Sequence, residues 1–534
     1  MSRKTKLIVI LIFIGFSLSA QDRYMVFFTD KLNSPYSISN PSQYLSQRSI
    51  QRREKQRISI VENDLPVNQA YVDALSNLGI KAIHRSKWMN GVLVEIETSS
   101  VNLVEALSFV ERVEYVAPGQ VPSGGIGGNE ANSKFANAGA ADFQNNMLGI
   151  DEMHEDGFEG QGMLIGVFDG GFQNIGQIAA LQHLFTSNKI VAQKNYVTNT
   201  TIVENNESHG TRVLSILAAN NPNEYIGAAP AANYILCVTE APGEYRVEEY
   251  NWLFAAEMAD SVGVDVVNTS LGYSVFDDAT MSYTYGDMDG ETAIITKAAN
   301  IAATKGIALI NSAGNEGNKV WRFITAPSDS ENVLSVGAID ATGFRASFSS
   351  FGPSADNRIK PDISALGQGT AVITASGNIS FQNGTSFSGP IVTGFATCLW
   401  QAFPELTNLE LLDLIRKSGH QFDSPDNELG YGIPNYIRAY ELAFTPEPLE
   451  NEVLAYPNPT SDSFINLVFP EGFLSESATV TLIDINGQQV SSFQIEPQRS
   501  SNRIQIDLSN QTAGIYILRI KGQRTSFKKK IIKY

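Results

Sequence analysis

The stretch GTSFSGPIVTGFATCLW, residues 384–400, places a glycine and two hydroxyl residues directly before a long apolar run. The apolar run predicts a buried helix. Ser386 stands at its start, where backbone N–H groups lack intrahelical partners. Ser386 therefore either caps the helix or acts as a nucleophile at the positive end of the helix dipole. We place Pro390 in the first turn, where a missing N–H costs least.

Short apolar strands alternate with helical patterns on both sides of that stretch, through residues 135–445. A helix over 291–306 is predicted to end at Gly306. Because parallel strands need crossover connections, this alternation predicts an α/β domain with a parallel sheet and helices on both faces. The predicted strands are 163–168, 233–238, 264–270, 307–311 and 333–339.

Three more polar residues of this domain stand where strands end or helices begin. Asp169 follows the first strand in GVFDGG, His209 opens SHGTRVLSILAA, and Asn315 lies just beyond the fourth strand in INSAGNEG. Each has a structural alternative: a capping or metal-binding aspartate, a structural histidine, or a turn asparagine. With Ser386 they supply the carboxylate, base, amide donor and nucleophile that acyl transfer requires.

These motifs resemble those of the subtilisin-like serine proteases, the subtilases. The matches are VFDGG around Asp169, HGTRV beginning at His209, SLG at 270–272, AGN at 313–315 and GTSFSGP at 384–390. The sequence departs from the family pattern in three places: Gly-Gly follows the aspartate, HGTRV replaces the commoner HGTHV, and GTSFSGP replaces GTSMASP. None of these changes removes a reacting atom, so we expect activity.

The resemblance implies a secreted serine endopeptidase that works through an acyl-enzyme intermediate and is made as an autoprocessed precursor. Ser386 would be the nucleophile, His209 the base, Asp169 its orienting carboxylate and Asn315 the oxyanion donor. No cofactor is required, and the partners would be protein or peptide substrates. The substrate-binding residues it implies are Ser270, Leu271, Gly272, Ser312, Ala313 and Gly314. Two rival classes are a non-catalytic surface protein on this fold and an esterase with the same triad.

The N-terminal part has three sections before the α/β domain. Residues 1–20 have the basic start, short apolar run and small residues of a secretory signal peptide. Residues 21–118 have the strand and helix order of an inhibitory α+β propeptide, by resemblance to that of many subtilases. They include a basic cluster, Arg48, Arg52, Arg53, Lys55 and Arg57, expected to form a solvated helix face or to complement the acidic catalytic domain. Residues 119–134 are a predicted processing linker.

The C-terminal part begins with a polar linker, 446–452. Residues 453–534 contain short alternating strands and turn signals, which predict a small all-β sandwich. The motifs YPNPTSD, LIDINGQQV and AGIYILRI resemble the C-terminal sorting domain of the type IX secretion pathway of Bacteroidetes. That resemblance implies passage through the periplasm, the type IX secretion machinery as a partner, and a final location outside the cell or on its outer surface.

Composition limits the remaining possibilities. The formal net charge of −18 argues against a nucleic-acid partner, which needs a basic surface. Cys237 and Cys398 lie in apolar segments and are expected to be buried free thiols. Asp287, Asp289 and Gly290 leave a structural calcium as an alternative to a solvated acidic loop, but the full ligand spacing of a calcium loop is absent. No later apolar run is long enough to span a membrane.

Overall fold

The computed structural model describes residues 21–119, 139–205, 207–222 and 224–443. It also describes 453–533, with gaps at 457, 459, 461–463, 470–476, 485–486, 496–502 and 523–525. The predicted signal peptide, nearly all of the processing linker and the second linker therefore lie outside the described residues. The chain divides into two compact units: Met1–Leu412 with Ser424–Gly430, and Asp413–Asp423 with Tyr431–Tyr534.

The N-terminal region has the predicted α+β fold. Its strands form an antiparallel sheet in the order β2-β3-β1-β4. The elements are β1 (Asp22–Phe28), α1 (Gln47–Lys55), α2 (Gln69–Asn77), β2 (Ala82–Ser86), β3 (Gly91–Ile96), α3 (Val101–Glu105) and β4 (Val110–Ala117).

Helix α1 begins at Gln47, after an Asn40-Pro41 pair of the kind that is common at helix starts. Pro41–Gln43 forms only a 3-10 turn, and the Asn40 side chain makes no capping hydrogen bond. Ser46 supplies the cap instead, because its Oγ accepts a hydrogen bond from the Ser49 N–H at 3.1 Å. The expected solvated basic face is also wrong for Arg52 and Arg53, which are 6% and 1% exposed.

The central region contains the parallel sheet. Its elements are α4 (Asp142–Asn146), α5 (Ile150–Glu155), β5 (Leu164–Asp169), α6 (Gln182–Thr186), β6 (Ile190–Asn195), α7 (His209–Ala218), β7 (Asn220–Asn221), β8 (Tyr225–Ile226), β9 (Asn233–Val238), α8 (Val247–Val262), β10 (Val266–Thr269), α9 (Ile294–Thr304), β11 (Ala308–Ser312), β12 (Val333–Ile339), β13 (Ile363–Leu366), β14 (Gln368–Ile373), β15 (Ile379–Asn383) and α10 (Thr385–Ala402). Two helices follow, α11 (Asn408–Lys417) and α12 (Tyr436–Ala443).

Seven parallel strands form this sheet in the order β13-β12-β11-β10-β5-β9-β6. Successive residues of β10 point to opposite faces. Asn268 Oδ1 accepts a hydrogen bond from Thr393 Oγ1 of α10, whereas Thr269 Oγ1 accepts one from Trp252 Nε1 of α8. Helices therefore cover both faces, as predicted. The edge strands β6 and β13 were not predicted, because β6 is half-exposed and polar and β13 has only four residues.

The N-terminal sheet packs against α8 through alternate residues of β1. Val26 and Phe28 belong to that region's own core, whereas Met25 and Phe27 join the core around α8. The Phe27 and Tyr250 rings lie 6.3 Å apart between centroids. The N-terminal sheet thus has two buried faces, one of which covers the peptidase helices.

The C-terminal region is the predicted small β-sandwich. Antiparallel sheets with the orders β16-β17-β20 and β19-β18-β21-β22 share one apolar core that includes Ile465, Val480 and Leu518. The strands are β16 (Leu454–Tyr456), β17 (Phe464–Val468), β18 (Ala478–Asp484), β19 (Gln489–Ile495), β20 (Arg503–Asp507), β21 (Gly514–Lys521) and β22 (Ser526–Lys533).

Candidate active site

Asp169 and His209 meet at the carboxyl end of β5. Asp169 is the last residue of that strand and is fully buried. Its Oδ1 lies 2.8 Å from His209 Nδ1 and also accepts a hydrogen bond from the Gly170 N–H. Asp169 can therefore hold the imidazole with Nδ1 protonated, so that Nε2 is available as a base.

The residues around His209 allow it to lie close to Asp169. His209 is the first residue of α7, and Glu207 Oε1 accepts hydrogen bonds from the N–H groups of Ser208 and His209. A Cβ added at Gly210 would lie 2.6 Å from the Gly171 carbonyl oxygen and 3.0 Å from Asp169 Cβ. Gly210 is thus required for α7 to start against the loop after β5.

Ser386 is the second residue of α10 and is 8% exposed. Its Oγ donates to the Ser270 carbonyl at 3.2 Å and makes no hydrogen bond to His209. The ring of the next residue, Phe387, lies 5.8 Å from the imidazole between centroids. Candidate nucleophile and base are therefore neighbours, without a direct hydrogen bond between them.

Pro390 lies deeper in α10 than predicted. Because the helix begins at Thr385, Pro390 is its sixth residue rather than part of the first turn. A proline there leaves the carbonyl four residues earlier, that of Ser386, without its helical donor. Ser270 Oγ donates to this carbonyl at 3.0 Å in place of the missing N–H. The proline thus leaves the Ser386 carbonyl available for the hydrogen bond from Ser270.

Asn315 lies beside the start of α10. Its Oδ1 accepts hydrogen bonds from Thr385 N at 2.9 Å and Thr385 Oγ1 at 3.1 Å. No described residue accepts a hydrogen bond from Asn315 Nδ2, so this amide group is the free donor of the side chain. The sequence reasoning did not identify Thr385 as the residue that orients Asn315, although its hydroxyl stands in the GTS motif.

The two predicted substrate-binding segments lie at the carboxyl ends of adjacent parallel strands, β10 and β11. Ser270, Leu271, Ser312 and Ala313 are buried. Thr325 lies against both segments, because a Cβ added at Gly272 would be 2.1 Å from its Oγ1 and one at Gly314 would be 3.0 Å away. Thr325 follows Gly314 by 11 residues and Gly272 by 53 in the chain, so its contact with the first segment depends on the fold.

A cavity of about 200 Å³ adjoins His209 and is lined by Ser270–Tyr273 and four glutamates, Glu207, Glu240, Glu244 and Glu248. Burial, and then the charge of Asp169, raise the pKa of Glu240 to about 8. Burial also raises the pKa of Glu244 to about 7, and Asp277 adds to the effect. The Glu240 Oε1 atom is buried and accepts no hydrogen bond from the described residues. Sequence analysis did not identify this acidic cavity.

The charges around His209 set its protonation. Burial disfavours the imidazolium, but the charge and hydrogen bond of Asp169, with Glu240, outweigh it and raise the pKa of His209 above 6.5. Arg212 acts in the opposite direction. Imidazolium formed during proton transfer is therefore stabilised at this position.

The remaining candidates have local roles. Asp287 Oδ2 accepts hydrogen bonds from Thr284, and Asp289 from Glu291 and Thr292. Within the described chain, no group of three or more His, Cys, Asp or Glu residues is placed to hold a metal ion. As predicted, Cys237 and Cys398 are buried free thiols. None of the helices that the structure describes combines the length and hydrophobicity needed to cross a bilayer.

Comparison with known proteins assigns each region to a family. Sequence profiles match the subtilase family, Peptidase S8, over residues 160–432, the Bacteroidota peptidase S8 propeptide domain over 23–132, and the secretion system C-terminal sorting domain over 454–534. The sorting domain implies secretion or location at the outer cell surface.

Curated relatives match the central region at low identity. Subtilisin DY of Bacillus licheniformis is 27% identical over 49% of this chain and 85% of its own length. Subtilisin E of Bacillus subtilis is 30% identical over 40% of this chain and 51% of its own. Subtilisin-like protease SBT6.1 of Arabidopsis thaliana is 27% identical over 57% of this chain, but the match spans only 28% of that protein.

A solved structure confirms the fold. The epidermin leader peptide processing serine protease of Staphylococcus aureus superposes with a TM-score of 0.55 at 15% identity, covering 80% of this chain and 100% of that one. The subtilase profile matches more than half of the sequence. The chain therefore belongs to the subtilase family of serine peptidases, with a Bacteroidota-type propeptide domain and a C-terminal sorting domain.

Proposed function

We propose that this peptidase is a secreted endopeptidase whose catalytic triad is Asp169, His209 and Ser386. The observation that carries the proposal is the 2.8 Å hydrogen bond between Asp169 and His209 beside the start of α10, where Ser386 lies. A buried carboxylate, an imidazole with a free Nε2 and a serine at a helix N-terminus are the groups that acyl transfer requires.

The reaction follows from these groups. Ser386 Oγ attacks the scissile carbonyl carbon while His209 Nε2 takes its proton. When the C–N bond breaks, His209 gives this proton to the leaving amine, and the acyl group remains on Ser386. A water molecule then attacks the acyl-enzyme, again with His209 as base, releasing the acid product and regenerating Ser386. Asp169 stays ionised and stabilises the imidazolium through Nδ1.

The oxyanion forms beside the first turn of α10. Asn315 Nδ2 is proposed as one donor, since Thr385 occupies the Oδ1 of the same amide. The Ser386 N–H is the second donor, because the first turn of a helix has unpaired N–H groups. The segments 270–272 and 312–314 would hold the substrate on the acyl side of the scissile bond.

The flanking regions indicate how the enzyme is made. The N-terminal region would inhibit the peptidase until the chain cleaves itself within or near residues 117–134. Residues 1–20 would direct export to the periplasm, and the sorting domain would direct passage through the type IX machinery before its removal. The buried contact between the N-terminal sheet and α8 supports a propeptide that stays bound until cleavage.

Processing of the precursor tests this proposal. Ser386→Ala should leave a full-length precursor, seen as an undiminished band on a gel and an intact mass. The matched control is Ser388→Ala, since the Ser388 hydroxyl is buried two residues away and donates only to the Thr385 carbonyl. That variant should mature normally and cleave a denatured protein. Normal maturation of Ser386→Ala would overturn autoprocessing, and a matured wild type that hydrolyses esters but no protein would favour the esterase.

A further inference from the structure

Arg212 is a largely buried cation that has no side-chain partner among the residues that the structure describes. It lies one helical turn after His209 on α7 and is 7% exposed. Its guanidinium makes no hydrogen bond or ion pair with any residue that the structure describes, and its Nε is fully buried. An unpaired buried charge is costly unless water or a ligand compensates it. Arg212 stands where HGTRV departs from the common subtilase motif.

Arg212 lines a cavity of about 470 Å³ that is suited to an anion. The other lining residues are hydroxyl and amide side chains apart from Ala375 and Ile379, and none of them is an acid or a second cation. Gln173 adds an amide, and the Asn174 and Asn378 amides each keep a second N–H beyond the one that donates to the Ala375 carbonyl or to Ser376 Oγ. Arginine in such surroundings matches a carboxylate, which its fork can bind through two parallel hydrogen bonds.

The position of this cavity indicates what it binds. Glu207 and His209 line the acidic cavity beside Ser270–Tyr273, whereas Ser208 and Arg212 line the larger one, and the two share no residue. The two cavities therefore adjoin different residues of the one segment 207–212. Gln382, four residues before Ser386, also lines the Arg212 cavity. If the 270–272 segment holds the acyl side of the substrate, the Arg212 cavity adjoins the leaving-group side.

We propose that Arg212 and this cavity bind a carboxylate of the substrate on the leaving-group side of the scissile bond. The carboxylate is either an acidic side chain or the free C-terminus of a peptide. The inference rests on the proposed function, and it adds a preference for acidic or C-terminal leaving segments. Desolvation would strengthen the pairing, because the cavity offers no competing acid.

Paired peptides test this site with and without turnover. Processed protein is given fluorogenic peptides that share one acyl part and differ after the scissile bond: Glu against Gln, and a free C-terminus against an amide. Calorimetric titration of the protein with dipeptides that carry the same four endings measures binding independently of catalysis. Both series are run on wild type, Arg212→Gln, Arg212→Lys and Lys297→Gln, an exposed charge on α9 that serves as the control.

The carboxylate ligands should bind and react about 10-fold to 100-fold better than their amide partners in wild type and Lys297→Gln, as expected for a charge-assisted hydrogen-bonded pair. Arg212→Gln should abolish this ratio, and Arg212→Lys should reduce it by losing the planar fork. Preference in only one pair would identify the source of the carboxylate.

Equal binding of carboxylate and amide by wild type, or a ratio retained in Arg212→Gln, would overturn the site. If Arg212→Gln does not fold, the ratio in wild type and its change in Arg212→Lys still decide whether the carboxylate site exists. Carboxylate binding without hydrolysis of any peptide would overturn the proposed function and leave the site standing.

Discussion

Buried charges are paired with each other at the interface between the N-terminal region and α8, but not all of them are paired in the cleft around His209. At the interface Asp260 is fully buried and bonds to Arg52, Arg53 and Lys87 at 2.7–2.9 Å. In the cleft, Arg212 has no protein partner among the described residues. The interface charges are paired within the chain, whereas the Arg212 guanidinium faces a cavity where solvent or a ligand can pair with it.

The difference separates structural from functional charges. Buried ions that hold two regions together need full pairing, because each loses its hydration. Burial opposes ionisation of Asp260, yet Lys87, Arg52 and Arg53 hold its pKa well below the ordinary 3.8. A buried ion left unpaired near a catalytic base is a candidate for ligand binding. The following predictions test that distinction, from the largest expected effect to the smallest.

Removing Asp260 should destabilise the precursor strongly. Asp260→Ala leaves Arg52, Arg53 and Lys87 without their shared carboxylate, and we expect a loss of about 3–5 kcal/mol in the free energy of unfolding. Because the pKa of Asp260 is lowered by folding, this contribution should persist above pH 3.8 and be lost only as the pH falls further. Urea denaturation of the unprocessed Ser386→Ala precursor measures it. The exposed Asp73 provides the control, and equal losses from both substitutions would contradict the account.

Removing the free amide of Asn315 should slow turnover. Asn315→Ala is expected to lower kcat by about 10²–10³-fold, a magnitude taken from the corresponding donor in subtilisin, a member of this family. KM should change little, because the lost hydrogen bond forms in the transition state. Thr385→Val, which removes one of the two bonds to Oδ1, should have a smaller effect. An unchanged kcat in Asn315→Ala would exclude this amide from the oxyanion site.

Glu240 and Arg212 should have opposite effects on the pH dependence of kcat/KM. His209 must be neutral to act as a base, and its pKa is raised, so kcat/KM should increase with pH through a midpoint above 6.5. Glu240 raises this pKa and Arg212 lowers it. Arg212→Gln should therefore shift the midpoint to higher pH, whereas Glu240→Gln should shift it to lower pH only to the extent that Glu240, with a pKa of about 8, is ionised there. Shifts of the same sign would contradict the assigned charges.

An exposed ion pair should matter least. Arg23 and Glu95 approach to 3.1 Å in the N-terminal sheet, but the Glu95 side chain is 42% exposed. Arg23→Gln should cost only about 0–1 kcal/mol of unfolding free energy, and less at high salt. A loss comparable to that of Asp260→Ala would show that burial is not what distinguishes these charges.

The sequence predicted the features that depend on local pattern. Buried strands such as 233–238 and 333–339 appear at the predicted residues, because continuous apolar runs mark central parallel strands. The half-exposed β6 was not predicted, because it lacks such a run. The four residues that resemble the catalytic set lie at strand ends and helix starts, as their motifs suggested.

Features that depend on distant partners could not be predicted. The burial of Arg52 and Arg53 follows from Asp260, about 200 residues later in the chain. The bond between Ser270 and the Ser386 carbonyl joins residues 116 positions apart. The isolation of Arg212 is visible only when its whole cavity is known. In each case the packing of elements remote in sequence decides the environment of the side chain.

Covalent labelling of the processed protein tests most directly that Ser386 is the nucleophile. A fluorophosphonate probe should react with wild type and with Ser388→Ala, and peptide mass mapping should place the phosphonate on Ser386. His209→Ala should prevent rapid labelling, because no base activates the hydroxyl. Absence of labelling under conditions where another subtilase reacts, or a label on any other residue, would contradict the account.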